Sequence, residues 1–182
     1  KTQTAKRCIP LLDAVMFGYT IVLTEDIGVE QKLDGAHYEW KVGRGFGSHE
    51  LKQYETHSAA KTHPHMPKWF SPWSIETPAG YSCLFVAPLN HDDLPFQAFT
   101  GVVDTDKYID VVNFPFMLRD PNFNGVLEAG TPIVQVIPFK RDEWNMQVHS
   151  GTTNRYERFN RLANTKFKNA YRRLFHSPKS FN

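Results

Sequence analysis

The chain has 182 residues, 41% hydrophobic and 22% charged, which fits one globular domain that buries a core without disulfide staples. No stretch approaches the roughly 20 apolar residues of a membrane span, so no membrane partner is expected. The net charge of +2 is unevenly spread: residues 1–139 hold 11 Lys/Arg against 16 Asp/Glu, while residues 140–182 hold 10 against 3.

The first residues lack the apolar segment of a secretory leader. Cys8 and Cys83 form neither a CxxC nor a zinc spacing, and are expected to be buried thiols in a reducing compartment. Residues 9–29 read as an opening strand and a hairpin partner, with Gly18–Leu23 β-branched and apolar and Thr24-Glu25-Asp26 breaking the run. Asp34-Gly35 is a two-residue turn signal, followed by alternation in Tyr38, Trp40 and Val42. Gly43, Gly45 and Gly47 then mark a loop around Arg44 and Phe46, without the following Lys-Ser/Thr helix of a phosphate-binding loop.

Residues 48–68 are polar and rich in histidine, and Pro64 and Pro67 argue for a long loop with a short helical turn near His49–Tyr54. His49, His57, His63 and His65 are the candidate metal ligands, with His63 and His65, two apart on extended chain, sharing one face; an exposed polar loop is the plainer reading. From residue 68 to 139 the chain reads as closely spaced strands: Trp73–Glu76, Tyr81–Ala87, Gly101–Val103, Val111–Leu118 and Ile133–Phe139. Turns rich in Pro, Gly, Asn and Asp separate them, which points to a sandwich or barrel rather than to βαβ units. Within this stretch Asp104 and Asp106, with His91, Asp92 and Asp93 upstream, form either an acidic rim or a set of turn caps. Mg²⁺ is the cofactor such carboxylates favour where they converge. Trp69, Phe70, Trp73, Phe114 and Phe116 belong either to a ligand pocket or to the core. Ser82 and Cys83 lack the elbow motif or adjacent base of a nucleophile.

Residues 154–176 change period: apolar residues from Tyr156 to Phe175 recur at three- and four-residue steps, giving an amphipathic helix with a basic opposite face. Its stripe requires cover, from the β body or from another subunit. Arg172, Arg173, Lys166 and Lys168 are the candidate polyanion contacts, for nucleic acid in particular; a solvated helix face is the alternative. The expected division is a β domain over 1–150, with the His-rich loop at 48–68, and a basic helical tail over 151–182.

Three segments occur in fixed order: Ile75–Ser82 with Pro78-Ala79-Gly80-Tyr81, Gly101–Tyr108 with Gly101-Val102-Val103-Asp104, and Glu128–Ile137 with Gly130-Thr131-Pro132-Ile133-Val134-Gln135. With Gly18-Tyr19 ahead of them, they resemble the elements of the dUTP pyrophosphatase and dCTP deaminase superfamily. That resemblance implies a mainly β, β-clip barrel or sandwich, here with a C-terminal amphipathic helix. It also implies a homo-oligomer, commonly a trimer, that binds a nucleotide or a similar small polar ligand, with or without hydrolysis. Asp104 would stand at the catalytic or sugar-binding aspartate, Tyr108 near the aromatic that stacks on the sugar, and Gln135 as a structural strand residue. Asp106, Trp73 and Asn113 complete the expected ligand site. The chain departs from that family in having Ala87-Pro88-Leu89-Asn90 near the place of the phosphate-binding Gly-Arg-Ser-Ser, and Ile109-Asp110 after the tyrosine. No glycine-rich arm follows the last strand.

The runs Lys68–Ile75, Thr77–Ser82, Val103–Asp106, Val112–Phe116 and Gly130–Arg141, with Cys8–Ala14 and the Tyr171–Phe175 tail, also resemble a family of tailed-phage proteins, many from marine phages. This second resemblance implies a viral product located in the host cytoplasm during infection or in the virion, but no particular activity. A non-enzymatic virion structural or accessory protein is therefore the alternative function, and a metalloenzyme using the His-rich loop a further one.

Overall fold

The computed structural model describes residues 8–32, 35–39, 46–56, 66–148, 154–164 and 170–181. It resolves into two units, Ala14–Arg141 and a second made of Lys1–Asp13 with Asp142–Asn182. The first unit is built of antiparallel strands in three sheets. No closed barrel forms among the described residues.

The first sheet contains the strands most visible in the sequence. Tyr19–Val22 (β1), Tyr81–Val86 (β6) and Gly101–Val103 (β8) join Pro132–Lys140 (β11) in the order β1-β11-β6-β8. The last strand is thus central, with Tyr19 opposite Val136 on one side and Phe85 opposite Val136 on the other. Gln135 lies buried on it, and its amide serves three backbone groups. Nε2 donates to the carbonyls of Ala14 and Phe17, and Oε1 accepts from the Leu89 amide at 3.0 Å. Gln135 is therefore a structural strand residue.

The second sheet pairs Ile27–Lys32 (β2) with Gly35–Glu39 (β3) and Gly125–Leu127 (β10). Lys32 stands opposite Gly35, so the chain reverses where Asp34-Gly35 signals a turn. Trp40 and Val42 lie outside the described residues. The third sheet runs Phe46–His49 (β4), Met66–Trp69 (β5), Phe114–Leu118 (β9) and Phe96–Ala98 (β7), in the order β4-β5-β9-β7. Alternation along β9 sends Phe114, Phe116 and Leu118 inward and leaves Pro115 and Met117 on the other face. Trp69 stacks on Phe116 with ring centroids 4.0 Å apart and planes 9° apart. Phe46 and Phe96 close around this pair. Trp69, Phe114 and Phe116 are thus core residues, whereas Trp73 is exposed.

Several expected elements differ. Ile9–Val15 is a helix (α1), not an opening strand: Pro10 suits a first helical turn, and Leu11, Leu12 and Ala14 are good helix formers. Gly47 lies in β4 rather than in a loop, where a side chain would collide with the Phe70 ring. The long loop expected at 48–68 is shorter at both ends, because β4 runs to His49 and β5 starts at Met66. A 3-10 turn at Leu51–Gln53 supplies the short helical turn. Pro67 is tolerated in β5 because β9 pairs only with Lys68 and Trp69, so Pro67 faces β4 alone. The run expected at Trp73–Glu76 makes only an isolated bridge from Ser74 to Val111.

In the second unit, helices span Asn154–Asn164 (α2) and Ala170–Leu174 (α3). Phe159 meets Phe175 with centroids 5.1 Å apart. Asp13 binds His176 Nε2 at 3.1 Å and Lys179 Nζ at 2.7 Å, and Lys179 holds the Asp13 carboxyl below its ordinary range. Cys83 is buried as expected, but Cys8 is exposed, next to a helix that buries none of its residues. No helix among the described residues is long and apolar enough to cross a membrane.

Candidate functional site

The site begins at the end of β8. Asp104 leaves the strand and opens a tight turn, its carbonyl accepting from the amides of Lys107 and Tyr108, both at 2.9 Å. The turn is pinned from below by buried Thr105, whose hydroxyl meets Thr77 Oγ1 at 2.7 Å and Cys83 Sγ at 3.4 Å. A second turn, Pro78-Ala79-Gly80-Tyr81, lies alongside. Gly80 adopts φ +87, as the third position of a type II turn requires, and Tyr81 N bonds Pro78 O at 3.1 Å. Gly80 then gives its amide to Asp106 Oδ2 at 2.9 Å.

Arg141, at the end of β11, ties these turns together. Its guanidinium donates to the Tyr81 carbonyl at 2.7 Å, Ser82 Oγ at 2.8 Å, Asp106 Oδ1 at 2.9 Å and Asp104 Oδ1 at 3.3 Å, and also to Asp106 Oδ2. The bidentate pair is strong because a planar fork meets a carboxylate edge to edge. The hydrogen bond from Arg141, followed by that from Gly80, holds the Asp106 carboxyl down at about 2. Reciprocally, the Arg141 guanidinium is raised.

The two neighbouring aspartates are therefore used differently. The Asp106 side chain is 6% exposed and spent on the brace; the Asp104 side chain is 53% exposed. Asp104 Oδ1 accepts from Ser82 Oγ at 2.6 Å and from Arg141, while Oδ2 has no partner among the described residues. One oxygen fixed and the other open suits a carboxylate that accepts a hydroxyl or orients a water.

Asp104 borders a hollow of about 620 Å³, within the range of small-ligand sites. The turn contributes Lys107 and Tyr108, the third sheet contributes His49 and Lys68, and Asn113 joins them from just before β9. Val102, Val103 and Val112 form its apolar lining. His49 Nδ1 lies 2.7 Å from Gln53 Oε1, which orients the ring and leaves Nε2 as its other polar atom.

The hollow gathers Asp104, Tyr108 and Asn113. It does not include Asp106, which Arg141 captures, or Trp73, which lies exposed elsewhere. The expected acidic rim does not assemble either. Asp92 pairs with Arg119 at 3.7 Å and Asp93 with His91 at 3.5 Å. Among the described residues no group of three or more His, Cys, Asp or Glu converges as metal ligands do. A Mg²⁺ held by the protein alone does not fit a lining whose one carboxylate stands with two lysines. His63 and His65 lie outside the described residues, as do Lys166 and Lys168. Arg172 and Arg173 stand exposed on α3.

Sequence reasoning missed Arg141, Lys68 and Lys107 as site residues, and offered His49 only as a metal ligand of the His-rich loop. Only Arg141 carried a signal, closing the run that starts at Gly130. No protein-family model matches the chain, and no curated protein matches its sequence.

Proposed function

We propose that the β unit binds a nucleotide or a similar small polar ligand in the hollow beside Asp104. The observation that carries this reading is the joining of one half-open carboxylate, two lysines, an amide and a phenol around a single ligand-sized space. Lys68 and Lys107 supply positive charge for an anionic group in place of a glycine-rich phosphate nest. Asp104 Oδ2 accepts a ligand hydroxyl or orients a water, and phosphate release distinguishes binding from hydrolysis. The same reading takes the unit as β-clip-like and the protein as a phage product, forming a homo-oligomer, with a trimer as the expected state, in the host cytoplasm. It is supported by the way the Pro-x-Gly-Tyr, Gly-Val-Val-Asp and Gln135 segments meet through Gly80, Asp106 and Arg141.

Thermal-shift measurements across the common nucleotides test it. A rise in melting temperature with at least one nucleotide, reduced by Lys107→Ala, is the expected result. No shift with any nucleotide at millimolar concentration overturns it.

A second reading, a structural or accessory component of the virion, is favoured by a different observation. Residues 142–148 run without regular structure, and Trp144, Met146 and Val148 are 91%, 85% and 83% exposed. Apolar side chains at alternate positions of one segment suit burial against another chain. Mass spectrometry of purified virions decides: a stoichiometric virion component supports this second reading.

A further inference from the structure

One residue lining the hollow carries an unsatisfied atom. Asn113 Oδ1 is shielded from solvent and accepts no hydrogen bond among the described residues, a standing cost to the free protein. Its placement follows from strand geometry. Val112, Phe114 and Phe116 point to the core, so Asn113 and Pro115 take the opposite face. Lys68 stands opposite Pro115 in the β5–β9 ladder and so shares that face.

A primary amide offers one acceptor beside two donors. That pattern matches the adjacent donor and acceptor on the edge of a nucleobase. The lysines on the same hollow suit a phosphate, and Tyr108 lines it too, its hydroxyl donating to the Val111 carbonyl at 3.4 Å.

We infer that Asn113 is the specificity residue of the hollow: its amide turns about its last side-chain bond to accept an N–H from a nucleobase edge, while Lys68 and Lys107 hold the phosphate. This rests on the hollow being the ligand site proposed above. A sugar hydroxyl is the other donor able to satisfy Oδ1, and a base-free sugar phosphate separates the two.

The experiment is calorimetric titration of the full chain with nucleoside 5′-monophosphates and with ribose 5-phosphate. At least one nucleotide is expected to bind about tenfold or more tightly than ribose 5-phosphate. In Asn113→Leu that advantage falls to roughly twofold or less, whereas Lys107→Ala weakens all ligands alike. Asn113→Leu is expected to melt no lower than wild type, since it removes an unsatisfied acceptor. Asn113→Asp, which keeps the shape but loses the donors, is expected to change the preference among bases. Equal binding of nucleotides and ribose 5-phosphate, or an advantage that survives in Asn113→Leu, overturns the inference and leaves the hollow as an anion site. Binding of none of these ligands at millimolar concentration overturns both this inference and the proposed function.

Discussion

Ser82 Oγ lies 2.6 Å from Asp104 Oδ1, so a hydroxyl with no solvent exposure fixes the orientation of the carboxylate at the rim of the hollow. The same hydroxyl accepts from Arg141. Ser82→Ala is expected to cost about 1–2 kcal/mol in chemical denaturation and to weaken ligand binding, because Asp104 then keeps only the longer contact from Arg141 at 3.3 Å. Unchanged affinity in a folded Ser82→Ala protein would show that the orientation of Asp104 is irrelevant to binding.

Asp106 gives the protein an acid-sensitive brace. Its carboxyl sits at about 2 in the folded chain, against 3.8 ordinarily. A depressed carboxyl stabilises the fold above its ordinary value, and that contribution disappears as pH falls through the folded one. Between about pH 4 and pH 2 wild type is expected to lose stability faster than Asp106→Asn, which has no carboxylate to protonate. Denaturation midpoints at pH 5 and pH 2.5 check this; parallel losses in the two proteins would exclude Asp106 as the sensitive group.

Gln135 is 2% exposed and hydrogen-bonds three backbone groups, the carbonyls of Ala14 and Phe17 and the amide of Leu89. Gln135→Leu keeps the bulk and removes every hydrogen bond. At about 1–3 kcal/mol for a buried group left unpaired, the substitution is expected to destabilise by at least about 1 kcal/mol, read from urea denaturation.

Two glycines with similar backbone angles are expected to behave differently. Gly18 (φ +78) lies against β11, where an added Cβ would fall 2.1 Å from the Val136 carbonyl oxygen; Gly130 (φ +85) has nothing within 4 Å. Gly130→Ala should therefore cost only the left-handed backbone penalty, about 1–2 kcal/mol. Gly18→Ala should cost clearly more, because β1 must shift away from β11. Equal melting temperatures for the two variants would contradict the close packing at Gly18.

Trp144 and Met146 present apolar surface without support from regular structure. Trp144→Ser with Met146→Ser is expected to change monomer stability by less than about 0.5 kcal/mol and to reduce self-association in sedimentation velocity. Unaltered sedimentation would count against a contact between copies through this segment.

The sequence made β6, β8 and β11 legible because each joins β-branched or aromatic residues to strong turn chemistry at both ends. It also exposed Asp104 and Tyr108, which share one short segment, and Gln135, whose strand is the longest in the fold. The strands β7 and β10 escaped notice because each has three residues and lacks the paired valines that mark β8, and β4 was masked by its glycine. That the lysines and His49 share one hollow was hidden for another reason. Lys68, Lys107 and His49 come from separate elements, and only strand register brings them to one hollow. Arg141 closes the run that starts at Gly130, but its importance comes from two turns folding back beside the end of β11.

The central place of β11 bears on how the chain is made. Gln135 closes on Ala14, 121 residues earlier, and β1 and β6 both wait for the strand that carries it. At ~5–20 residues per second, a nascent chain would hold its first strand without a partner for on the order of ten seconds during translation. Ribosome-stalled chains ending at Leu127 should therefore remain protease-sensitive, and extension past Arg141 clear of the exit tunnel should bring resistance in one step.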